Sequence, residues 1–208
     1  MQALGFESHG GPERVRLLDV PVPAVDRRQV LLSVRAAALN RLDLWVLAGW
    51  PGLKFKMPHI MGADGAGVVA AVGEDVARFR VGDRVAVNPT ICNDPADRFA
   101  RLGRDNLCDD FALFGEHIDG FFAEYTAVPE RNLLRLPEHV TFETAAASSL
   151  VFVTAWHSLI TRGQLQPGES ILIVGAGGGV NTASIQIARL AGAWPIIVVG
   201  SSPTKLAL

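Results

Sequence analysis

The stretch that most constrains this chain is Ser170-Ile-Leu-Ile-Val-Gly-Ala-Gly-Gly-Gly-Val-Asn181. Four apolar residues, Ile171 to Val174, run straight into a glycine-rich turn. Behind it, Val180, Ala183, Ile185, Ile187, Ala188 and Leu190 pattern a helix. Strand, tight turn and helix N-terminus in that order can hold the pyrophosphate of a dinucleotide. Backbone N–H groups point at the anion, the helix dipole favours it, and glycines let the backbone come close. Gly175, Gly177, Gly178 and Gly179 supply the turn, with Val180 and Asn181 where a strict G-x-G-x-x-G would place its last glycine. The alternative is a structural turn that closes an ordinary βα unit.

A second buried strand, Pro195 to Val199, is followed by the loop Gly200 to Lys205. A doubly wound dinucleotide fold has about six strands. The sequence to Leu208 supplies two of them and one crossover helix, so the nucleotide domain is expected to be incomplete as written.

Elsewhere the chain reads as compact and unspecialised in charge. It is 49% hydrophobic and 19% charged, with a formal net charge of -2, which offers no basic field to nucleic acid or acidic membranes. The first residues, Met1 to Glu7, lack the basic and apolar regions of a signal peptide, and no uninterrupted apolar run spans a bilayer. Two cysteines, Cys92 and Cys108, argue against a disulfide-stapled scaffold. A soluble cytoplasmic protein with a small-molecule substrate is expected.

Residues 1–136 read as strand-rich. Val15 to Val20, Val30 to Leu39, Gly67 to Val72, Arg84 to Val87, Phe121 to Val128 and Leu133 to Leu136 are β-prone runs separated by Gly, Pro, Asp and Asn. A short helix is predicted over Leu42 to Leu47, and a polar lobe over Asn93 to Asp110. The pattern changes at Pro137. Thr141 is a candidate N-cap for an alanine-rich helix, a second apolar helix runs from about Leu150 to Thr161, and the nucleotide-type strand follows. The predicted layout is a β-rich domain over 1–136, then two linking helices and the start of an α/β domain over 137–208.

Six segments in order resemble the medium-chain dehydrogenase/reductase superfamily. They are Asn40-x-x-Asp43, Pro58-His-Ile-Met-Gly-Ala-Asp-Gly-Ala-Gly67, Val81-Gly-Asp-Arg-Val85, Gly120-Phe-Phe-Ala-Glu-Tyr125, Thr154-Ala-Trp-His157 and the glycine turn. The resemblance implies a chaperonin-10-like (GroES-like) β-barrel domain followed by a Rossmann domain. It also implies that a typical member continues beyond Leu208, through the rest of the Rossmann sheet. Thr154 joins the glycine turn as a cofactor-binding candidate on the same ground.

Zinc alcohol dehydrogenases of that family place three catalytic ligands at positions that match Asn40, Ala63 and Leu150. Alanine and leucine offer no donor, and a neutral amide is a poor zinc ligand. No catalytic zinc is therefore expected, with Asp64 alone unable to hold one. The family's structural zinc is bound by four cysteines in the polar lobe. Here only Cys92 and Cys108 remain, so two free thiols are expected, with a mixed site completed by Asp94 and Asp97 as the alternative.

Without a Lewis acid to hold a developing alkoxide, suitable substrates are those that delocalise charge themselves, such as quinones or α,β-unsaturated carbonyls. Asn40-x-x-Asp43 also resembles the zinc-free quinone oxidoreductase branch. Asn40 is the candidate catalytic contact to substrate or nicotinamide, and Asp43 its support. Equally, Asn40 can cap the following helix with Asp43 in its first turn. His59, His117, His157 and Tyr125 read as packing or solvated residues.

An NAD site usually places an acid after the second strand. Here Ser201, Ser202 and Lys205 stand there, which favours NADPH, with NADH the alternative. Ser202-Pro203 can also simply cap the next helix. The expected function is an NADPH-dependent, zinc-independent reductase of quinones or enones. The alternatives are a truncated remnant or interaction module and, more weakly, a zinc alcohol dehydrogenase with unfamiliar ligands; the partner expected is a second copy, through the exposed Rossmann edge.

Overall fold

A computed structural model describes residues 1–52, 54–92, 94 and 96–206. The chain divides into two compact units, Met1–Ser149 and Leu150–Leu208. The division falls inside a helix, later than the change of sequence pattern at Pro137.

The first unit is built on β1 (Gln2–Phe6), β2 (Arg16–Asp19), β3 (Gln29–Ala38), β4 (His59–Ile60), β5 (Asp64–Val72) and β6 (Arg84–Val87), with β7 (Thr90–Cys92), β8 (Phe111–Leu113), β9 (Tyr125–Pro129) and β10 (Leu133–Arg135). One sheet runs β10-β6-β5-β3-β9 and a second runs β2-β1-β4, while β7 and β8 form a separate pair. All these pairings are antiparallel. On β3, Val30 and Leu32 turn inward at the period of a strand half-buried on a sheet. They join Val69, Val85, Val87, Val128, Phe114 and Phe121 in the largest core cluster.

The predicted strand over Phe121 to Val128 is shorter in the structure. Phe121 and Phe122 donate their N–H groups to the carbonyls of Gly62 (2.9 Å) and Met61 (2.9 Å) instead of joining the ladder. Close backbone approach explains the glycine at 120. A Cβ there would strike the Gly62 and Met61 carbonyl oxygens.

His59, which the sequence left without a partner, is fully buried. Its Nε2 lies 3.2 Å from the Gly115 carbonyl, and its ring stacks on Phe55 at 4.2 Å. Burial holds its pKa below the ordinary histidine value, against the pull of the Gly115 carbonyl and Asp119. The neutral ring therefore donates from Nε2 as a packing group.

The two helices predicted after Pro137 are one. Helix α2 (Phe142–Trp156) passes without a break into a π-helical turn, His157–Arg162. Thr141 starts it as expected, its Oγ1 accepting the Thr144 N–H at 3.2 Å. The hydroxyls of Ser148, Ser149, Thr154 and Ser158 fold back onto carbonyls one turn earlier, which lets polar residues ride an apolar helix. Phe142–Arg162 is 21 residues long with a mean hydropathy of 1.2 over an 18-residue window, so by length and composition it reaches what a membrane span needs, contrary to the sequence expectation. In the second unit its Ala155 is buried against Ala183 and Ile187.

The second unit continues with β11 (Ile171–Val174), α3 (Gly179–Leu190), β12 (Ile196–Val199) and a short α4 (Pro203–Leu206). Strands β11 and β12 pair in parallel, Ile171 opposite Ile196 through Val174 opposite Val199. A βαβ unit of this kind needs the crossover helix, and α3 provides it. Ile173 turns inward, as do Ala183, Ile187 and Ala188 of the helix, while Leu172, Val174, Ile197 and Val199 are exposed.

Candidate active site and dinucleotide turn

In the first unit, helix α1 (Arg41–Ala48) begins at Asn40, which has extended backbone geometry, φ -126° and ψ 157°. Asn40 and Asp43 form a capping box. The Asp43 carboxylate accepts the Asn40 N–H at 2.6 Å. The capping interpretation of both residues therefore holds.

A second contact was not legible in the sequence. The Asn40 amide nitrogen donates to Asp64 Oδ2 at 2.7 Å, across 24 positions of chain. Asp64 opens β5, whose last register pair with β3 is Ala38 opposite Asp64. That pairing brings the end of β3, the cap of α1 and the start of β5 to one place. Asp43 and Asp64 are both buried, at 2% and 1% exposure. One neutral amide residue thus bridges two buried carboxylates, with its main chain held by one and its side chain by the other.

Desolvation raises the Asp43 carboxyl above its ordinary range, against the N–H groups of Asn40 and Gly62. The Asn40 N–H is taken by Oδ2, and Oδ1 is buried with no hydrogen-bond partner within 3.5 Å among the described residues. Glycine at 62 follows from local geometry: φ is +98°, and a Cβ would enter the Phe122 ring.

The donor set does not fit a catalytic zinc. Asn40 presents an amide nitrogen already committed to Asp64, Ala63 is fully buried with no donor atom, and Leu150 has none either.

The polar lobe corrects an expectation. Cys92 and Cys108 are not free thiols but form a disulfide, with Cα atoms 5.9 Å apart. The sequence could not show this, because the pairing is made by the antiparallel register of β7 and β8 flanking the lobe. Asp97 is the carboxylate that lies beside the two sulfurs, all ligand atoms falling within 4.8 Å, and Asp94 does not join them. Asn93 and Pro95 lie outside the described residues.

In the second unit the glycine turn joins β11 to α3. Gly175 has φ +105° and donates to the Val199 carbonyl at 2.7 Å, which ties the turn to the tip of β12. Asn181, one residue past the last glycine position of the strict motif, donates its amide to the Val174 carbonyl at 3.1 Å. Its side chain fills the space that a Cβ on Gly175 would need. Gly179 packs beneath Val151 of α2.

A cavity of about 490 Å³ lies over the turn, lined by Val174 to Gly178, Val199 to Ser201 and Lys205. Lys205 Nζ sits 3.2 Å from Ser201 Oγ. Open glycine backbone at the start of a helix, with a cation and a hydroxyl beside it, fits a dinucleotide phosphate. Ser202 stands apart from these residues. It caps α4, accepting the Lys205 N–H on both its hydroxyl (3.4 Å) and its carbonyl (3.2 Å). Val180 is exposed on the first turn of α3. Thr154 does not line the cavity, and its hydroxyl is bound to the Leu150 carbonyl at 2.8 Å.

Residues 26–138 match the alcohol dehydrogenase GroES-like domain family. Over 98% of its length the chain is 36% identical to a crotonyl-CoA carboxylase/reductase of Cereibacter sphaeroides, covering 49% of that protein. It is 32% identical to the human quinone oxidoreductase, with 99% of the chain and 54% of that protein aligned. A solved NAD-dependent alcohol dehydrogenase superposes on the whole chain with a TM-score of 0.95 at 42% identity, the chain covering 60% of it. The chain spans about half the length of the relatives it matches.

Proposed function

The chain belongs to the medium-chain dehydrogenase/reductase superfamily, and on that premise we propose that it serves as a zinc-independent, NADPH-dependent reductase of quinones or α,β-unsaturated carbonyls. The observation that carries this reading is the bridge from Asp43 through Asn40 to Asp64. Where a metal-dependent member needs three donors around a Lewis acid, this chain has an oriented amide between two buried carboxylates.

A conjugated carbonyl or quinone spreads the charge that arrives with a hydride, so hydrogen bonding can replace a Lewis acid. NADPH, when bound, supplies that hydride. The glycine turn, Ser201 and Lys205 are the residues that would hold its phosphates. Asn40 is the residue that would meet the nicotinamide or the substrate. Asp43 and Asp64 hold its main chain and amide in place.

One observation favours NADH instead. The structure that superposes with a TM-score of 0.95 is named an NAD-dependent alcohol dehydrogenase. Against it, the described residues after β12 place Ser201 and Lys205, and no acid, on the cavity.

The reading is tested by assaying the protein after exhaustive chelation. NADPH oxidation with 1,4-benzoquinone or a simple enone is expected to persist, while an isolated ketone is not reduced. Replacing Asn40 with alanine should lower kcat/KM by at least roughly 100-fold, the low end for one lost transition-state hydrogen-bond donor. Ketone reduction that requires added zinc would sink the proposal.

A further inference from the structure

The polar lobe that follows β7 has almost no apolar packing of its own. Two of its apolar side chains, Leu102 and Leu107, are 68% and 46% exposed, and Phe99 is half-buried with the Arg98 guanidinium over its ring. Its order comes from short polar contacts instead. Asp97 Oδ1 accepts the N–H groups of Phe99 (2.6 Å) and Ala100 (3.3 Å), and Asp110 accepts that of Asp94 (3.0 Å). The ion pair Arg131–Asp105, at 3.4 Å, lies at the surface, where such pairs contribute little. The strong tie is the Cys92–Cys108 disulfide, buried at the base of the lobe where β7 and β8 meet.

The family resemblance implies a structural zinc held by four cysteines in the corresponding lobe. This chain has two cysteines in all, and Asp97 is the carboxylate beside them. Structural zinc sites are overwhelmingly sets of four Cys or His ligands, so the residues do not fit that metal. We propose that the Cys92–Cys108 disulfide replaces the metal as the clasp of this lobe. The order of the lobe then follows redox state: closed when the pair is oxidised, loosened when it is reduced.

The chemistry is ordinary exchange. One thiolate of a dithiol reductant attacks a cysteine sulfur and releases the other cysteine as a thiolate. The reductant's second thiolate then displaces the remaining cysteine. The cysteine pair gains two electrons and two protons, and the dithiol leaves as its cyclic disulfide. In a reducing compartment, protein disulfides are rare and usually transient or regulatory, which suits a clasp of this kind. The lobe also leads through β8 into Gly115, whose Cβ position abuts the Gly62 backbone just before Ala63 and Asp64. Its state therefore has a short route to the Asn40 site.

The test compares the 208-residue protein purified without reductant, the same protein treated with dithiothreitol, and the C92S/C108S double variant. Each is digested with limiting trypsin, with and without one equivalent of zinc. Arg98, Arg101 and Arg104 are exposed cleavage sites inside the lobe. Expected are no reactive thiols before reduction and two after it. Lobe cleavage should run several-fold faster in the reduced protein and the double variant, and zinc should make no difference. The proposal fails if the unreduced protein shows two reactive thiols, or if cleavage rates match across the three samples. It fails equally if zinc restores protection to the reduced wild type, since the metal would then be the clasp. Digestion of reduced wild type keeps the test valid even if the double variant does not fold.

Discussion

Replacing Phe121 with alanine is expected to destabilise the first unit by about 3–5 kcal/mol, the range for truncating a fully buried aromatic. Phe121 has no exposed surface, and its ring centroid lies 4.8 Å from that of Phe114. It packs among Val30, Leu32, Val69, Val85 and Val128, so the lost ring leaves a cavity inside the five-stranded sheet's core. The cavity should collapse little. The residue's own N–H is pinned to the Gly62 carbonyl, and the neighbouring Gly120 backbone has no room to shift. For a chain of this length, each kcal/mol lowers the melting temperature by about 2–4 °C, so a fall on the order of 10 °C is expected. The ring also fills the space above Gly65, which directly follows Asp64. Its loss should therefore loosen the Asn40–Asp64 contact as well as the fold. A denaturant titration showing a change under about 1 kcal/mol would contradict this placement of the core.

The second large effect concerns the cofactor. Lys205→Ala is expected to weaken NADPH binding by roughly 10- to 150-fold, from the loss of a charge-assisted hydrogen bond of about 1.5–3 kcal/mol, and to leave NADH binding nearly unchanged. Lys205 Nζ and Ser201 Oγ, 3.2 Å apart, line one cavity with the glycine turn, so a 2′-phosphate would meet both. Ser201→Ala should produce a smaller change of the same sign, because it removes a hydroxyl and leaves the cation. Ser202→Ala should instead act on the α4 cap. Isothermal titration of the variants checks all three, and an unchanged ratio of NADPH to NADH affinity in Lys205→Ala would end the 2′-phosphate reading.

Local patterns were legible where local forces decide. The alternation through Val30 and Leu32, the glycine turn after Val174, Asn40 as a helix cap and Thr141 at the head of α2 all follow from spacing and capping chemistry. Contacts made by tertiary register were not. Asp64 reaches Asn40 because β3 and β5 pair Ala38 with Asp64, a register interrupted by two bulges that no single strand encodes. Cys92 meets Cys108 because β7 and β8 pair Cys92 with Phe111. β1 was missed because it alternates only partly, Gly5 lying against the His59 carbonyl. The break expected between two helices near Leu150 does not exist, since the serine and threonine hydroxyls there find carbonyl partners within the helix. In the candidate site, the identity of Asn40 was readable and its orientation was not. Orientation depends on a buried carboxylate 24 positions away.

The most direct measurement is a calorimetric titration of the 208-residue protein with NADPH and, separately, with NADH. Saturable binding at one site per chain, tighter for NADPH, is the expected result. It would mean that the glycine turn, Ser201 and Lys205 form a working nucleotide site. Binding of neither dinucleotide, or a clear preference for NADH, would contradict the assignment.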